Sequence, residues 1–146
     1  MTFFSFAVPG QPLSWNRSYR QRVGYVKDRF GQRVMTVTGK AKTRPMQYKT
    51  EAAQEYQKGV QLACQAAKPT GFNPDQVIIA YDFVLGRDID CDNVMKMTND
   101  AIGKALALDD KHFFPAVRSK VIGSKTPEVL ITIYDRAFWM VDIVEQ

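Results

Sequence analysis

"GRDIDCDNVMKMTNDAIGKALALDD", running from Gly86 to Asp110, gathers six of the fifteen acids of a basic chain into 23 residues. Asp88, Asp90 and Asp92 alternate, Lys96 follows, Asp100 lies further on, and the pair Asp109-Asp110 closes the segment. Carboxylates this close repel one another, and they persist only when solvated or when a cation sits between them. Immediately upstream, "QVIIAYDFVLG" over 76–86 is rich in β-branched and aromatic residues and reads as a central strand. Downstream, Val94, Met95, Ile102, Ala105 and Leu106 share one helical face, while Asp92, Lys96, Asp100 and Lys104 fall four apart on another. Asp92 is the expected N-cap of that helix. A strand that ends in acids and turns directly into an amphipathic helix anchors the reading of the whole chain.

Around this unit, "FFSFAV" (3–8) reads as a first strand ended by "PGQP". "GYVKD" and "RVMTVT", joined across "RFGQ", suggest a hairpin or flap. Pro45 suits the first turn of a helix. From there Tyr48, Ala52, Tyr56, Val60, Ala63 and Ala67 keep steps of three and four, an apolar helical stripe broken by "KPTGFNPD". "AVRSKVIGS" and "EVLITIYD" read as a closing pair of strands. The tail from Phe138 to Val144 is too apolar for solvent and suggests packing on the core or on a second subunit. With no repeat and no linker composition, the expectation is α+β: a single compact domain over 1–146, with a mixed sheet and two main helices.

The chain has 146 residues, 45% of them hydrophobic and 12% aromatic, enough for a real core and unlike a disordered segment. No apolar run approaches the ~18 residues of a membrane span, and the start lacks the pattern of a secretion signal, so a cytoplasmic protein is expected. Cys64 and Cys91 form neither a disulfide framework nor a zinc spacing. A single histidine, His112, excludes sites that need two imidazoles.

The net charge of +5 is unevenly spread. Residues 1–50 hold ten Lys/Arg against one acid, Asp28, while residues 51–146 carry a net −4. A basic arm (15–44) beside an acidic cluster (86–110) suits phosphodiester chemistry, because cations neutralise phosphates while carboxylates hold a divalent metal. A solvated basic face next to an acidic loop is the plainer alternative. An EF-hand is excluded: counted from Asp88, the required glycine and glutamate positions are Asn93 and Asn99. A hard-cation site fits better, since Mg²⁺ takes few carboxylates and keeps several waters. In an extended segment Asp90 and Asp92 project to one side and could share a metal. The helix separates them by about 20 Å from Asp109 and Asp110, which reach the site only if the chain reverses. Lys96, one turn after Asp92, suits charge stabilisation on a leaving oxygen. Its ordinary alternative is an ion pair with Asp92 or Asp100.

These residues resemble the signature of the RusA family of Holliday-junction resolvases: Asp90, Asp92 and Asn93, then Lys96, Asp100-Ala101 and Asp109-Asp110. "QPLSWNRSYR" is similar to a second family element through Pro12, Ser14, Asn16 and Tyr19. The resemblance covers about 130 residues by element order. It implies a small homodimeric endonuclease that uses Mg²⁺, with Mn²⁺ as an alternative, to resolve four-way DNA junctions by paired nicks in recombination and repair. By position it makes Asp90, Asp92 and Asp110 the metal-binding carboxylates and Lys96 the catalytic lysine. Asp88/Asp90 is a competing alignment, and Asp109 competes with Asp110.

DNA would lie along the arm, on Asn16, Arg17, Tyr19, Arg20, Arg22, Lys27, Arg29, Arg33, Lys40, Lys42 and Arg44, with Trp15, Tyr19, Tyr25 and Phe30 interleaved. Cations meet phosphate, and an aromatic can stack on an unpaired base. The alternative places Trp15 and Phe30 in the core. His112 is expected at the surface rather than in catalysis, and Cys91 in packing. Two other functions stay open on sequence: a non-cleaving DNA-binding protein of the same fold, and a related nuclease of flaps or forks.

Overall fold

A computed structural model describes residues 3–138, the side chain of Trp15 excepted. The elements in order are strand β1 (Phe3–Pro9), the short helix α1 (Trp15–Ser18), strands β2 (Tyr19–Tyr25) and β3 (Thr43–Lys49), and helix α2 (Glu51–Ala67). Strand β4 (Val77–Leu85), helix α3 (Cys91–Leu106), a 3₁₀ turn (Asp110–His112), and strands β5 (Phe113–Ile122) and β6 (Glu128–Asp135) complete the α+β domain.

The main sheet has the order β1-β6-β4-β5. Strands β1, β6 and β4 are antiparallel neighbours, and β5 is parallel to β4. Alternate residues point to one face: Phe4, Phe6 and Val8 of β1, Val129, Ile131 and Ile133 of β6, and Val77, Ile79, Tyr81, Phe83 and Leu85 of β4. Registers such as Phe6↔Ile131 and Ile131↔Tyr81 align these apolar side chains across the strands. Val60 and Cys64 of α2 and Val94, Ala101, Ile102 and Leu106 of α3 cover them. Each large side chain so buried contributes about 1.5–3 kcal/mol.

Strands β5 and β6 are not a closing pair: β6 crosses to the far side of β4 and separates it from β1. A parallel β4–β5 pair requires a crossover of a dozen or more residues, and α3 supplies it. Pro45 opens no helix. It lies in β3 opposite Val23, and α2 begins only after Thr50, whose hydroxyl accepts the amide of Ala53 at 3.2 Å. Tyr48 is therefore a strand residue, and the buried face of α2 is Ala53, Gln57, Val60 and Cys64.

Strands β2 and β3 form a two-stranded ribbon that projects as the arm. At its tip Val34 lies between the two legs, its amide donating to Val26 and its carbonyl accepting from Lys42. Two small turns result, one through Gly31 (φ 78°) and one through Gly39 (φ 83°), both left-handed conformations that favour glycine. The hairpin expected over 24–38 is thus the tip of a longer one. The expected tail interface over 138–144 lies, beyond Phe138, outside the described residues. No helix among those described is long and apolar enough to cross a membrane.

Candidate active site

The acids lie where β4 hands over to α3. Gln11 ties this loop down, its Nε2 donating to the Arg87 carbonyl (3.2 Å) and its Oε1 accepting the Gly86 amide (2.8 Å). Helix α3 starts two residues earlier than an N-cap at Asp92 would require, at Cys91, and Asp90 is its N-cap. The Asp90 carboxylate accepts the Asp92 amide at 3.1 Å through Oδ1 and the Asn93 side-chain amide at 3.2 Å through Oδ2. Asp92 consequently projects from the first helical turn, and the two carboxylates do not alternate along an extended strand. Both are exposed.

The six acids fall into two groups. Asp88 pairs with Lys120 at 2.6 Å, Asp100 with Lys49 at 3.7 Å and Lys104 at 3.6 Å, and Asp109 with Lys111 at 3.5 Å. Lys120 also donates to the Ile89 carbonyl at 3.1 Å, and the hydrogen bond with Asp88 raises its pKa. The Lys111 amide bound to Asp109 holds that carboxyl below its ordinary value. Asp90, Asp92 and Asp110 have no cationic partner among the described residues. The helix N-terminus favours the first two, and Lys120 attracts Asp90 from beyond ion-pair distance, but no described cation pairs directly with either.

Lys96 is exposed and makes no ion pair or hydrogen bond among the described residues, so the ordinary alternative of a pair with Asp92 or Asp100 is not formed. It lines an open cleft of about 550 Å³ together with Tyr19, Asn99, Asp100, Asp110, Lys111, Phe113 and Pro115. Asp110 does return toward the helix. Ala107 ends α3 in a left-handed conformation (φ 54°), and the Leu108 amide donates back to the Gly103 carbonyl at 3.0 Å. The reversal passes so close that a Cβ on Gly103 would stand 2.9 Å from the Leu108 carbonyl oxygen. Asp110 thereby lines the same cleft as Lys96, a cleft that Asp90 and Asp92 do not line. Among the described residues no three His, Cys, Asp or Glu side chains converge as a ready metal site.

The donor chemistry nevertheless fits a hard divalent cation. Asp90, Asp92 and Asp110 offer only carboxylate oxygens, and each Asp90 oxygen that accepts one hydrogen bond keeps a second lone pair. Mg²⁺ is commonly held by one or two protein carboxylates, waters and the substrate's phosphate.

Sequence reasoning missed the connection between arm and helix. Lys49, at the foot of β3, donates to Gln57 Oε1 at 2.5 Å. Gln57 Nε2 donates to the Met97 carbonyl at 3.0 Å and to Asp100 Oδ2 at 2.9 Å. The signal was present: Gln57 is a polar residue on the inward face of α2, and a buried amide requires partners. Tyr19, at the foot of β2, lines the same cleft, and burial together with the charge of Asp100 raises its phenol pKa. Below them Tyr81 donates to Asn99, and Tyr56 and Thr98 share a hydrogen bond of 2.8 Å.

All nine expected DNA-facing cations of the arm, from Arg17 to Arg44, are exposed, and none forms an ion pair among the described residues. Asn16 is exposed on α1, and Arg17 lines a small cleft with Arg87 and Asp88. Three arginines lie over aromatic rings: Arg22 over Tyr48, Arg29 over Phe30 and Arg33 over Tyr25. Phe30 is not a core residue, being 74% exposed. His112 is half-buried in the 3₁₀ turn, and Cys91 is half-buried against the core at the start of α3.

An exposed basic ribbon latched to a helix that starts in uncompensated carboxylates is the arrangement of a nucleic-acid enzyme. A family model described as Endodeoxyribonuclease RusA matches residues 26–134, most of the chain and all of the acidic segment. The chain belongs to the RusA endodeoxyribonuclease family, and nuclease action on DNA, with Holliday-junction resolution at the level of the family, comes with that membership. The Pro12–Tyr19 element precedes the matched range. No curated protein matches the chain.

Proposed function

We propose that this protein is a structure-selective endonuclease that resolves four-way DNA junctions by paired, Mg²⁺-dependent nicks, acting as a homodimer. The observation that carries the reading is the division of the acids: among the described residues Asp90, Asp92 and Asp110 form no ion pair, while Asp88, Asp100 and Asp109 each pair with lysine. A protein that only bound DNA would gain nothing from bare carboxylates beside phosphate. The unpaired set coincides with the positions given by the family signature, and it favours Asp92 over Asp88 and Asp110 over Asp109.

In this reading Asp90 and Asp92 hold the ion at the start of α3, and Asp110 serves the Lys96 side of the site. A bound divalent ion would lower the pKa of a water and offset the charge that builds on phosphorus. Lys96, unpaired in its cleft, donates to the 3′ oxygen as its bond to phosphorus breaks. The arm's cations hold the backbone of the junction, and the latch from Lys49 through Gln57 to Asp100 keeps the arm in register with Lys96. Nicks on two opposed strands need two sites, which a twofold dimer supplies.

The test is cleavage of a synthetic four-way junction and of a linear duplex of matching sequence, with Mg²⁺ and with EDTA. Symmetric nicking of the junction alone, abolished by EDTA, is the expected result. Tight junction binding without cutting under Mg²⁺ or Mn²⁺ would assign the chain to DNA binding instead, and cutting of flaps or forks in preference to junctions would assign it to those substrates.

A further inference from the structure

Apolar side chains stand at the tip of the arm with none of the described residues covering them. Phe30 is 74% exposed, Val37 107% and Met35 57%. The turn that carries Phe30 is not loose: the Asp28 carboxylate accepts the amides of Phe30 (2.9 Å) and Gln32 (3.0 Å), and the Gly31 amide donates to the Asp28 carbonyl at 3.0 Å. The second turn is closed in the same way, the Lys40 amide donating to Thr36 Oγ1 at 3.2 Å and the Gly39 amide to the Thr36 carbonyl at 2.9 Å. Asp28, the one acid of the arm, is thus used up within the turn.

Around the apolar tip stand Lys27, Arg29, Arg33, Lys40 and Lys42, all exposed and without ion pairs among the described residues. Arg29 stacks over Phe30 with its guanidinium carbon 4.8 Å from the ring centroid. A ring held out on a braced turn and ringed by cations is mismatched to a protein partner's apolar face, because burial there would desolvate five charges. It matches nucleic acid, where the cations meet phosphate and a planar side chain enters between bases that have lost a stacking neighbour. A four-way junction offers such bases at its branch point, and an intact duplex does not.

We infer that the arm tip is a wedge: Phe30 inserts at the branch point of the junction and stacks on a base there, so that the arm selects branched over linear DNA. This deepens the resolvase reading and rests on it.

The test uses the full chain in EDTA, so that binding is read without cleavage. The probes are a junction with 2-aminopurine next to the branch point and a linear duplex with 2-aminopurine at its centre. Wild-type protein should raise the branch-point fluorescence several-fold and leave the duplex signal unchanged. Phe30→Ala should abolish the rise and weaken junction affinity about tenfold through the lost stacking, while duplex affinity, set by phosphate contacts, holds within about twofold. Phe30→Trp should restore the rise. Junction binding with the same fluorescence rise in Phe30→Ala overturns the wedge and leaves the resolvase reading standing. No junction binding by wild-type protein overturns both. If Phe30→Ala instead dissociates a DNA-free dimer in sedimentation, the tip is a contact between copies and the wedge is wrong.

Discussion

Lys49 Nζ lies 3.7 Å from Asp100 Oδ2, which joins the foot of the arm to the middle of α3, one turn beyond Lys96. The pair is partly exposed, and an isolated ion pair of that kind is worth at most ~1 kcal/mol. Gln57 makes it a fixed joint, because its carbonyl takes Lys49 and its amide takes both Asp100 and the Met97 carbonyl. Gln57→Leu should cost about 1–3 kcal/mol in denaturant unfolding, since it strands buried polar groups. It should also slow junction cleavage by more than it weakens DNA binding. A variant with native cleavage rate would mean that the joint serves stability alone.

Lys96→Ala removes a side chain that supports nothing else, so its melting temperature should shift by the equivalent of no more than ~0.5 kcal/mol. Single-turnover junction cleavage should fall about 10²–10³-fold, the loss typical of one donor at a developing charge, with binding in EDTA nearly unchanged. Equal losses in binding and cleavage would place Lys96 among the phosphate contacts instead.

Gly103→Ala tests the return of Asp110. The added Cβ would sit 2.9 Å from the Leu108 carbonyl oxygen, which is backbone and cannot swing away. A loss of about 1–3 kcal/mol is expected, with a fall in cleavage as Asp110 and the 3₁₀ turn shift. A variant as stable as wild type would show that the reversal tolerates a wider path.

On the open face of the sheet, Asp82 accepts bonds from Arg118 at 3.1 and 3.3 Å and from Ser119 Oγ at 2.7 Å. The hydrogen bond from Arg118 leads the forces that hold its pKa below 3.8. A depressed carboxylate stabilises the fold at pH values above its unfolded pKa, and that contribution is lost as pH falls through the folded value. Asp82→Asn should therefore destabilise by about 1 kcal/mol at pH 7 and converge with wild type at a pH below the lowered folded pKa of Asp82. An equal difference at both pH values would remove the charge from the explanation.

Burial pushes the Cys64 thiol up to about 12, and burial also raises Cys91. Cys64 should not react with a disulfide reagent at pH 8 in the native state, the half-buried Cys91 should react slowly, and both should react fully on unfolding. Rapid native labelling of Cys64 would contradict its place in the core.

Helix α3 was legible because its buried face recurs at helical spacing, and β4 because a run of β-branched and aromatic residues marks a central strand. The ribbon was legible only at its tip, because β2 and β3 are exposed on both faces and keep no apolar alternation. Within β3, Tyr48 happened to stand four residues before Ala52, which extended a helical stripe backward toward Pro45. Strand order failed for β5 and β6 because adjacency in sequence suggests a hairpin, whereas the crossover through α3 dictates that β4 stands between them. In the site, the residue types and Asp90–Lys96 spacing were readable. Which acids are neutralised was not, since Lys49 and Lys120 arrive from distant elements.

The most direct measurement compares Asp92→Asn with Asp88→Asn in Mg²⁺-dependent junction cleavage. Both variants should bind the junction in EDTA. Asp92→Asn should lose cleavage by at least ~10³-fold, whereas Asp88→Asn, which loses only the exposed contact with Lys120, should stay within about tenfold of wild type. Abolished cleavage in Asp88→Asn with activity retained in Asp92→Asn would contradict the account, because the metal would then be held by the acid that the fold has already neutralised.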